Sequence, residues 1–220
     1  MKIYLASANL EDIRWAAHRR LIDGVLTTHA LVGAEEADDV REHLAEICRT
    51  SNGPVFVTAH ALTSDEVYRG ARELAKLSDN VIVQIPFVED VVDSIHRLTV
   101  DGVRVAATLV FSAAQALLAA RAGARAVVIS VDDLDAAGRD AGAVMHELRA
   151  VLDGSGSEAD LVALNPRTAS QFGACAAAGA DGVAVTTDVL RGLLVHPLTD
   201  RGIDRFLREL SQRHAAWTVV

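Results

Sequence analysis

Apolar and polar positions alternate in blocks along this chain, and the blocks repeat. A short apolar run, a turn and an amphipathic stretch follow one another from end to end. KIYLAS (2–7) precedes LEDIRWAAHRRLI (10–22), GVLTT (24–28) precedes ADDVREHLAEICR (37–49), and PVFVTAH (54–60) precedes SDEVYRGARELAKL (64–77). NVIVQIP (80–86), VRVAATLV (103–110) and ARAVVISV (124–131) lead into helical stretches at 88–102, 112–123 and 141–154. ADLVALN (159–165) and ADGVAVTT (180–187) do the same before 168–179 and 188–196, and LTDRGIDRFLRELSQRH (198–214) forms a last helix. The apolar runs lack polar alternation, so they predict strands covered on both faces, the mark of parallel sheets. Eight strand–helix units close most economically into a (β/α)8 barrel, here a single domain over 1–220 with an extra C-terminal helix. An open doubly wound sheet ranks below it, because Ala6-Ser7-Ala8-Asn9 stands where that fold carries a glycine-rich phosphate loop.

Local signals agree with these boundaries. Gly102, Gly123 and Gly179 fall where helices should end. Ser64 with Glu66, and Asp188 before Val189, mark helix starts. Asp132, Asp133 and Asp135 read as residues that precede the helix at 141–154 and cap it.

Composition narrows the function. A chain of 220 residues that is 50% hydrophobic has material for one sizeable core. Its formal net charge of -9 argues against a basic face for nucleic acid. No apolar run approaches ~18 residues, so no membrane span is expected, and MKIYLASANL turns polar too soon for a signal peptide. A cytoplasmic protein is the expectation. Cys48 and Cys175 show no metal-ligand spacing and read as buried free thiols. No metal and no cofactor are expected.

In a barrel the reacting residues sit at the carboxyl ends of the strands. That rule collects Ala6, Ser7, Thr27, Thr28, His29, Thr58, His60, Gln84, Pro86, Thr108, Ser130, Asp132, Asp133, Asn165, Arg167, Thr186 and Thr187 as candidates. His29 and His60 could meet across the second and third strands, with Glu89, Asp90, Asp132 and Asp133 on nearby loops. A histidine–carboxylate pair moves protons or ligates a metal, yet either ring can equally point outward. Gln84 is the anomaly: a polar side chain inside the apolar run VIVQIP, with Thr108 and Ser130 as candidate hydrogen-bond partners.

Together these segments resemble the short transaldolases, most closely the fructose-6-phosphate aldolase type. The resemblance spans nearly the whole chain and is most specific over VAATLVFSAAQALLAARAGA (105–124). GVLTTHAL is similar to the family's Gly-Val-Thr-Thr-Asn-Pro-Ser, VIVQIP to its Val-Val-Lys-Val-Pro strand, and GADGVAVTTDVL to its eighth unit. The resemblance implies a barrel that holds a ketose as a Schiff base on a fourth-strand lysine, with a first-strand Asp and a fifth-strand Thr moving protons. It also implies a homo-oligomeric ring, a pentamer or decamer, with the last helix packed on a neighbour. In this chain Gln84 occupies the lysine's place. Ala6 stands for the Asp, Thr28 for an Asn, Thr58 for a Gln or Glu, Ser130 for a Tyr, Asp133 for a phosphate-binding Arg and Asn165 for a Ser; Thr108 matches.

An amide nitrogen is not nucleophilic, and the only lysines are Lys2 and Lys76, both expected at the opposite end of the barrel. The expectation is a repurposed enzyme. It would act without a Schiff base on a small carbonyl or oxygenated substrate, with Gln84, Thr108, His60 and Ser130 in catalytic roles. Thr28, Thr58, Asp133, Asn165 and Arg167 would bind the substrate. The alternatives are a pseudoenzyme that binds a ligand and a structural partner subunit. Ile203, Phe206, Leu207 and Leu210 form an apolar stripe on the last helix, suited either to its own barrel or to a neighbour.

Overall fold

The computed structural model describes residues 1–59 and 63–213. Among them eight parallel strands close into a barrel in sequence order. The strands are β1 (Lys2–Ala6), β2 (Gly24–Leu26), β3 (Val55–Thr58), β4 (Val81–Pro86), β5 (Val105–Thr108), β6 (Ala126–Ser130), β7 (Asp160–Leu164) and β8 (Gly182–Val185). The principal helices around them are α1 (Leu10–His18), α2 (His29–Gly33), α3 (Val40–Thr50), α4 (Ser64–Ala75), α5 (Val92–Val100) and α6 (Ala113–Arg121). They continue with α7 (Val131–Ala136), α8 (Ala141–Gly154), α9 (Ala169–Ala177), α10 (Thr187–Leu193) and α11 (Pro197–Arg213). The (β/α)8 barrel is therefore the fold, as the block pattern predicts.

The strands bury both faces, which explains their uninterrupted apolar runs. One face, with Leu5, Val25, Val83 and Ile85, packs against the helices. The other fills the barrel, with Tyr4, Phe56, Ile82 and Val162 among its side chains. Tyr4 and Phe56 meet edge to face with ring centres 5.1 Å apart. Tyr4 fits because its neighbours surrender their side chains: a Cβ on Gly182 would lie 2.5 Å from Tyr4 Cε2. One on Gly24 would lie 3.1 Å from Tyr4 Cδ1 and 2.4 Å from the Pro54 oxygen. The barrel is thus plugged by aromatic rings, with the small residues Ala6 and Ala106 also on its inner face.

The three glycines predicted to end helices do follow α5, α6 and α9, each at positive φ. Other local readings need correction. Asp132, Asp133 and Asp135 do not precede and cap the long helix. They lie within α7, which Ser130 caps, while the Asp140 carboxylate caps α8. The sequence Ser130-Val131-Asp132-Asp133 carries the S-x-x-D start signal for that short helix. A second short helix, α2, begins where the strand at 24–28 was expected to end; Thr28 accepts from the Leu31 amide as its cap.

Ser64 does not cap α4. Thr63 holds the cap position and donates to the Glu66 carboxylate at 2.6 Å, while the Ser64 hydroxyl lies 2.6 Å from that of Ser94. Asp188 supplies first-turn charge to α10, whose cap is Thr186.

Among the described residues, the apolar stripe on α11 is exposed rather than buried against the barrel. Ile203, Phe206, Leu207 and Leu210 are 41–58% exposed. Among the described residues no helix is long and apolar enough to cross a membrane. Cys48 and Cys175 are buried free thiols, and desolvation pushes both thiol pKa values from 9.0 up to about 11.

Candidate active site at the barrel mouth

Strand parity decides which side chains face the mouth. Ile82 points into the barrel, so Gln84 does too; Phe56 orients Thr58, Ala106 orients Thr108, and Val128 orients Ser130. These four residues occupy the carboxyl ends of β3 to β6, where parallel barrels carry their reacting groups.

Gln84 is 2% exposed and fully engaged on one side. Its Nε2 donates to the Thr27 carbonyl at 2.7 Å and to the Thr58 hydroxyl at 3.1 Å. The Thr27 oxygen can only accept, so the amide must present its nitrogen there. That fixes the orientation and leaves Oε1 with no hydrogen bond among the described residues. The partners expected from sequence, Thr108 and Ser130, are not the ones used. The parallel register sets Thr58 directly beside Gln84, whereas β5 offers Ala106. Thr27, itself fully buried, donates its hydroxyl to the Phe56 carbonyl at 2.8 Å, which ties β2 to β3 beneath the amide.

A second group of polar residues lies on the other side of the mouth. Thr108, Leu109, Ser130, Asp132, Asp133 and Asn165 are among the residues lining a cleft of about 260 Å³. Ser130 Oγ donates to Asp132 Oδ1 at 2.5 Å and accepts from the Asp133 amide at 3.3 Å. Arg167 reaches the other oxygen of Asp132 at 3.4 Å, with its own side chain 72% exposed. Such an exposed pair contributes little stability, roughly 0–1 kcal/mol, but it orients the carboxylate.

The Thr108 hydroxyl and the Asp133 carboxylate have no partner among the described residues. Leu109 and Asn165, at the ends of β5 and β7, hold φ of +57° and +58°. A left-handed backbone costs about 1–2 kcal/mol at a leucine, and such strain gathers at working sites.

The remaining predicted site residues are dispersed. Thr28 spends its hydroxyl on the α2 cap. His29 is exposed at the start of α2, and Glu89 and Asp90 are exposed in the 3-10 turn Glu89–Val91. His60 lies outside the described residues. Lys2 Nζ lies 3.3 Å from the carboxylate of Asp160, the first residue of β7, and so marks the amino end of the barrel. Lys76 follows α4 and pairs with Glu73 at 2.5 Å. Among the described residues no cluster of three or more His, Cys, Asp or Glu side chains is placed to hold a metal ion.

Sequence reasoning missed two contributors. His43 Nε2 donates to the Ala8 carbonyl at 2.9 Å, and Asn9 Nδ2 donates to Glu35 at 3.1 Å, so α3 and the turn after α2 reach the loop that follows β1. No spacing signal points to either contact, because each joins segments about 30 residues apart. Thr27 was noted only as a strand-end residue, and its carbonyl, not its side chain, holds Gln84.

Comparison with known proteins adds the family context. The family model described as Transaldolase/Fructose-6-phosphate aldolase matches residues 3–219. A probable transaldolase from Bartonella tribocorum is 36% identical over 209 residues, covering 95% of this chain and 96% of that protein. Another from Hyphomonas neptunium is 38% identical over 209 residues, covering 95% and 96%. Among solved structures, inosine 5' monophosphate dehydrogenase from Legionella pneumophila superposes with a TM-score of 0.61 at 16% identity. That match covers 86% of this chain and 59% of the other, a likeness of fold alone.

Proposed function

The chain belongs to the transaldolase/fructose-6-phosphate aldolase family, and from that premise we propose that it is a barrel enzyme that has exchanged Schiff-base chemistry for non-covalent chemistry on a small carbonyl or oxygenated substrate. Gln84 takes the place of the family's lysine. The observation that carries the reading is the clamped Gln84 amide: its nitrogen is spent on Thr27 and Thr58, and its oxygen is the one end left for a ligand. Both lysines of the chain are far from the mouth, which supports the same reading.

In this mechanism Gln84 Oε1 accepts a hydrogen bond from a substrate hydroxyl, and the Thr108 hydroxyl donates to the substrate carbonyl. Ser130 takes a proton from the substrate and passes its own to Asp132, the carboxylate that Arg167 orients. Positioned proton transfer of this kind is worth about 10²–10⁴ in rate. Asp133 and Asn165 line the same cleft and contact the substrate's polar periphery. The protein works in the cytoplasm as a homo-oligomer, a pentamer or decamer. The exposed Ile203, Phe206 and Leu207 on α11 support assembly, since an apolar stripe left in water is costly.

One observation favours a pseudoenzyme as the second reading. Thr28 and Ser130 cap helices, and Thr58 accepts from Gln84, so several mouth hydroxyls already serve the protein itself.

Borohydride trapping with mass spectrometry, against dihydroxyacetone, fructose 6-phosphate and small aldehydes, tests the proposal alongside turnover assays. Turnover without a trapped adduct, lost in Ser130→Ala, is the expected result. A borohydride-stable adduct on any amine of the chain would overturn it. Absence of both turnover and adduct across the panel, with ligand binding retained, would favour the pseudoenzyme.

A further inference from the structure

Among the described residues, three arginines against one glutamate line a cleft at the end of the barrel opposite the mouth. The cleft, of about 750 Å³, opens beside the starts of β5 and β6. Its walls are apolar, formed by Val103, Leu117, Ala120 and Ala124, and its polar lining includes three guanidinium groups, Arg104, Arg121 and Arg125, against one carboxylate, Glu158. The volume falls within the range of small-molecule sites, and apolar walls with a few convergent polar groups are what such sites present.

Two of the three arginines are held without losing their charge. Arg104 donates to the Asp79 carbonyl, and Arg125 donates to the Glu158 carbonyl at 2.7 Å. A neutral acceptor fixes a guanidinium in place and leaves its formal charge unpaired. Arg125 also approaches Asp160 at 3.5 Å, but Lys2 shares that carboxylate at 3.3 Å, so it cannot neutralise both. Arg121, the last residue of α6, has neither hydrogen bond nor ion pair among the described residues.

The carbonyl ends of α5, α6 and α8 oppose this charge, since helix C-termini carry partial negative charge. Their last turns are closed by backbone amides, Gly102 to Thr99, Gly123 to Ala120 and Ser157 to Leu152, which removes much of that demand. An excess of cations over carboxylates therefore remains around an apolar hollow.

We infer that this cleft is a binding site for a small organic anion, a phosphate monoester or a carboxylate, whose head pairs with Arg104 and Arg121 while its apolar body lies along Val103 and Leu117. Guanidinium forks match both head groups. The site lies across the plugged barrel from the mouth, so its occupant does not compete with a mouth ligand.

The test is isothermal titration of the protein with phenyl phosphate, benzoate, inorganic phosphate and phenol. Phenyl phosphate, benzoate or both should saturate, and which of them does so identifies the head group. Phenol and inorganic phosphate should bind at least about tenfold more weakly, since each lacks half of the recognition. Arg121→Gln and Arg104→Gln should each weaken binding about tenfold, added salt should do the same, and Ser130→Ala at the mouth should change nothing. Arg121 is exposed on a helix surface, so its variant remains informative even if Arg104→Gln fails to fold. Absence of saturation by either organic anion up to about 10 mM, binding of phenol as tight as that of the anions, or indifference to Arg121→Gln would overturn the inference. Loss of binding in Ser130→Ala would also overturn it, by moving the site to the mouth.

Discussion

The two halves of the barrel interior are built on opposite principles. Towards the amino end, Tyr4 and Phe56 fill the lumen, and Gly24 and Gly182 give up their side chains to admit the tyrosine. At the carboxyl end the lining turns polar: Gln84, Thr58, Thr108 and Ser130 replace aromatic bulk, and two non-glycine residues hold left-handed backbone. One half maximises contact, and its one polar group, the Tyr4 phenol, is held neutral by burial. The other gives up packing for hydrogen-bonding groups and tolerates strain. Dense packing and polar lining are thus separated along one axis of the same sheet.

Emptying the packed half should have the largest effect. Tyr4→Ala removes a ring that glycines were placed to accommodate, and a loss of about 3–5 kcal/mol in urea unfolding is expected. A cost below about 1 kcal/mol would mean that the plug does not hold the barrel together.

Alkali should attack the apolar shell next. Burial raises the Cys48 and Cys175 thiols from 9.0 to about 11 and raises the Tyr4 phenol as well, so the folded state retains protons that the unfolded chain releases. The contribution is fully present below about pH 9, where both states are protonated. It is lost as pH rises through 11, at about 2 kcal/mol or less per thiol. Unfolding titrations of the wild type and of Cys48→Ala/Cys175→Ala should diverge least at high pH; an unchanged gap from pH 7 to 11 would contradict the burial.

At the mouth, Gln84→Met should cost about 1–3 kcal/mol by leaving the Thr27 carbonyl without its amide donor. Adding Thr58→Val should cost less than the sum of the single changes, since the two side chains share one network. Strict additivity in the double-mutant cycle would show that they act separately. Ser130→Ala should have the smallest stability effect, about 1 kcal/mol for a lost helix cap, while abolishing any turnover. A stability loss like that of Tyr4→Ala would place Ser130 in the framework and erase the contrast between the halves.

Much of this was legible along the chain, for identifiable reasons. Parallel strands covered on both faces must be apolar throughout, so each run announced itself. Helix ends showed because Gly102, Gly123 and Gly179 take backbone angles that other residues resist. Short helices were less visible. α2 and α7 are too brief to develop an apolar stripe, and their caps, Thr28 and Ser130, read from sequence only as strand-end residues.

The site was legible as a set of strand ends but not as a set of contacts. Gln84 could be singled out because a lone amide in an apolar strand demands partners, yet sequence nominated Thr108 and Ser130. Barrel register supplied Thr58 from β3 and the carbonyl of Thr27, 57 residues away.

By itself, then, the sequence determined the number and order of the strand–helix units, the family, and the residue types that crown the barrel. These follow from local periodicity and from positions along one strand. Tertiary structure alone decided which polar groups pair, where Tyr4 finds room, that Ile203, Phe206 and Leu207 on α11 are exposed, and that three arginines line one cleft. Those outcomes depend on register between strands and on helices distant in sequence, and no local pattern of hydrophobicity encodes a distance across a closed sheet.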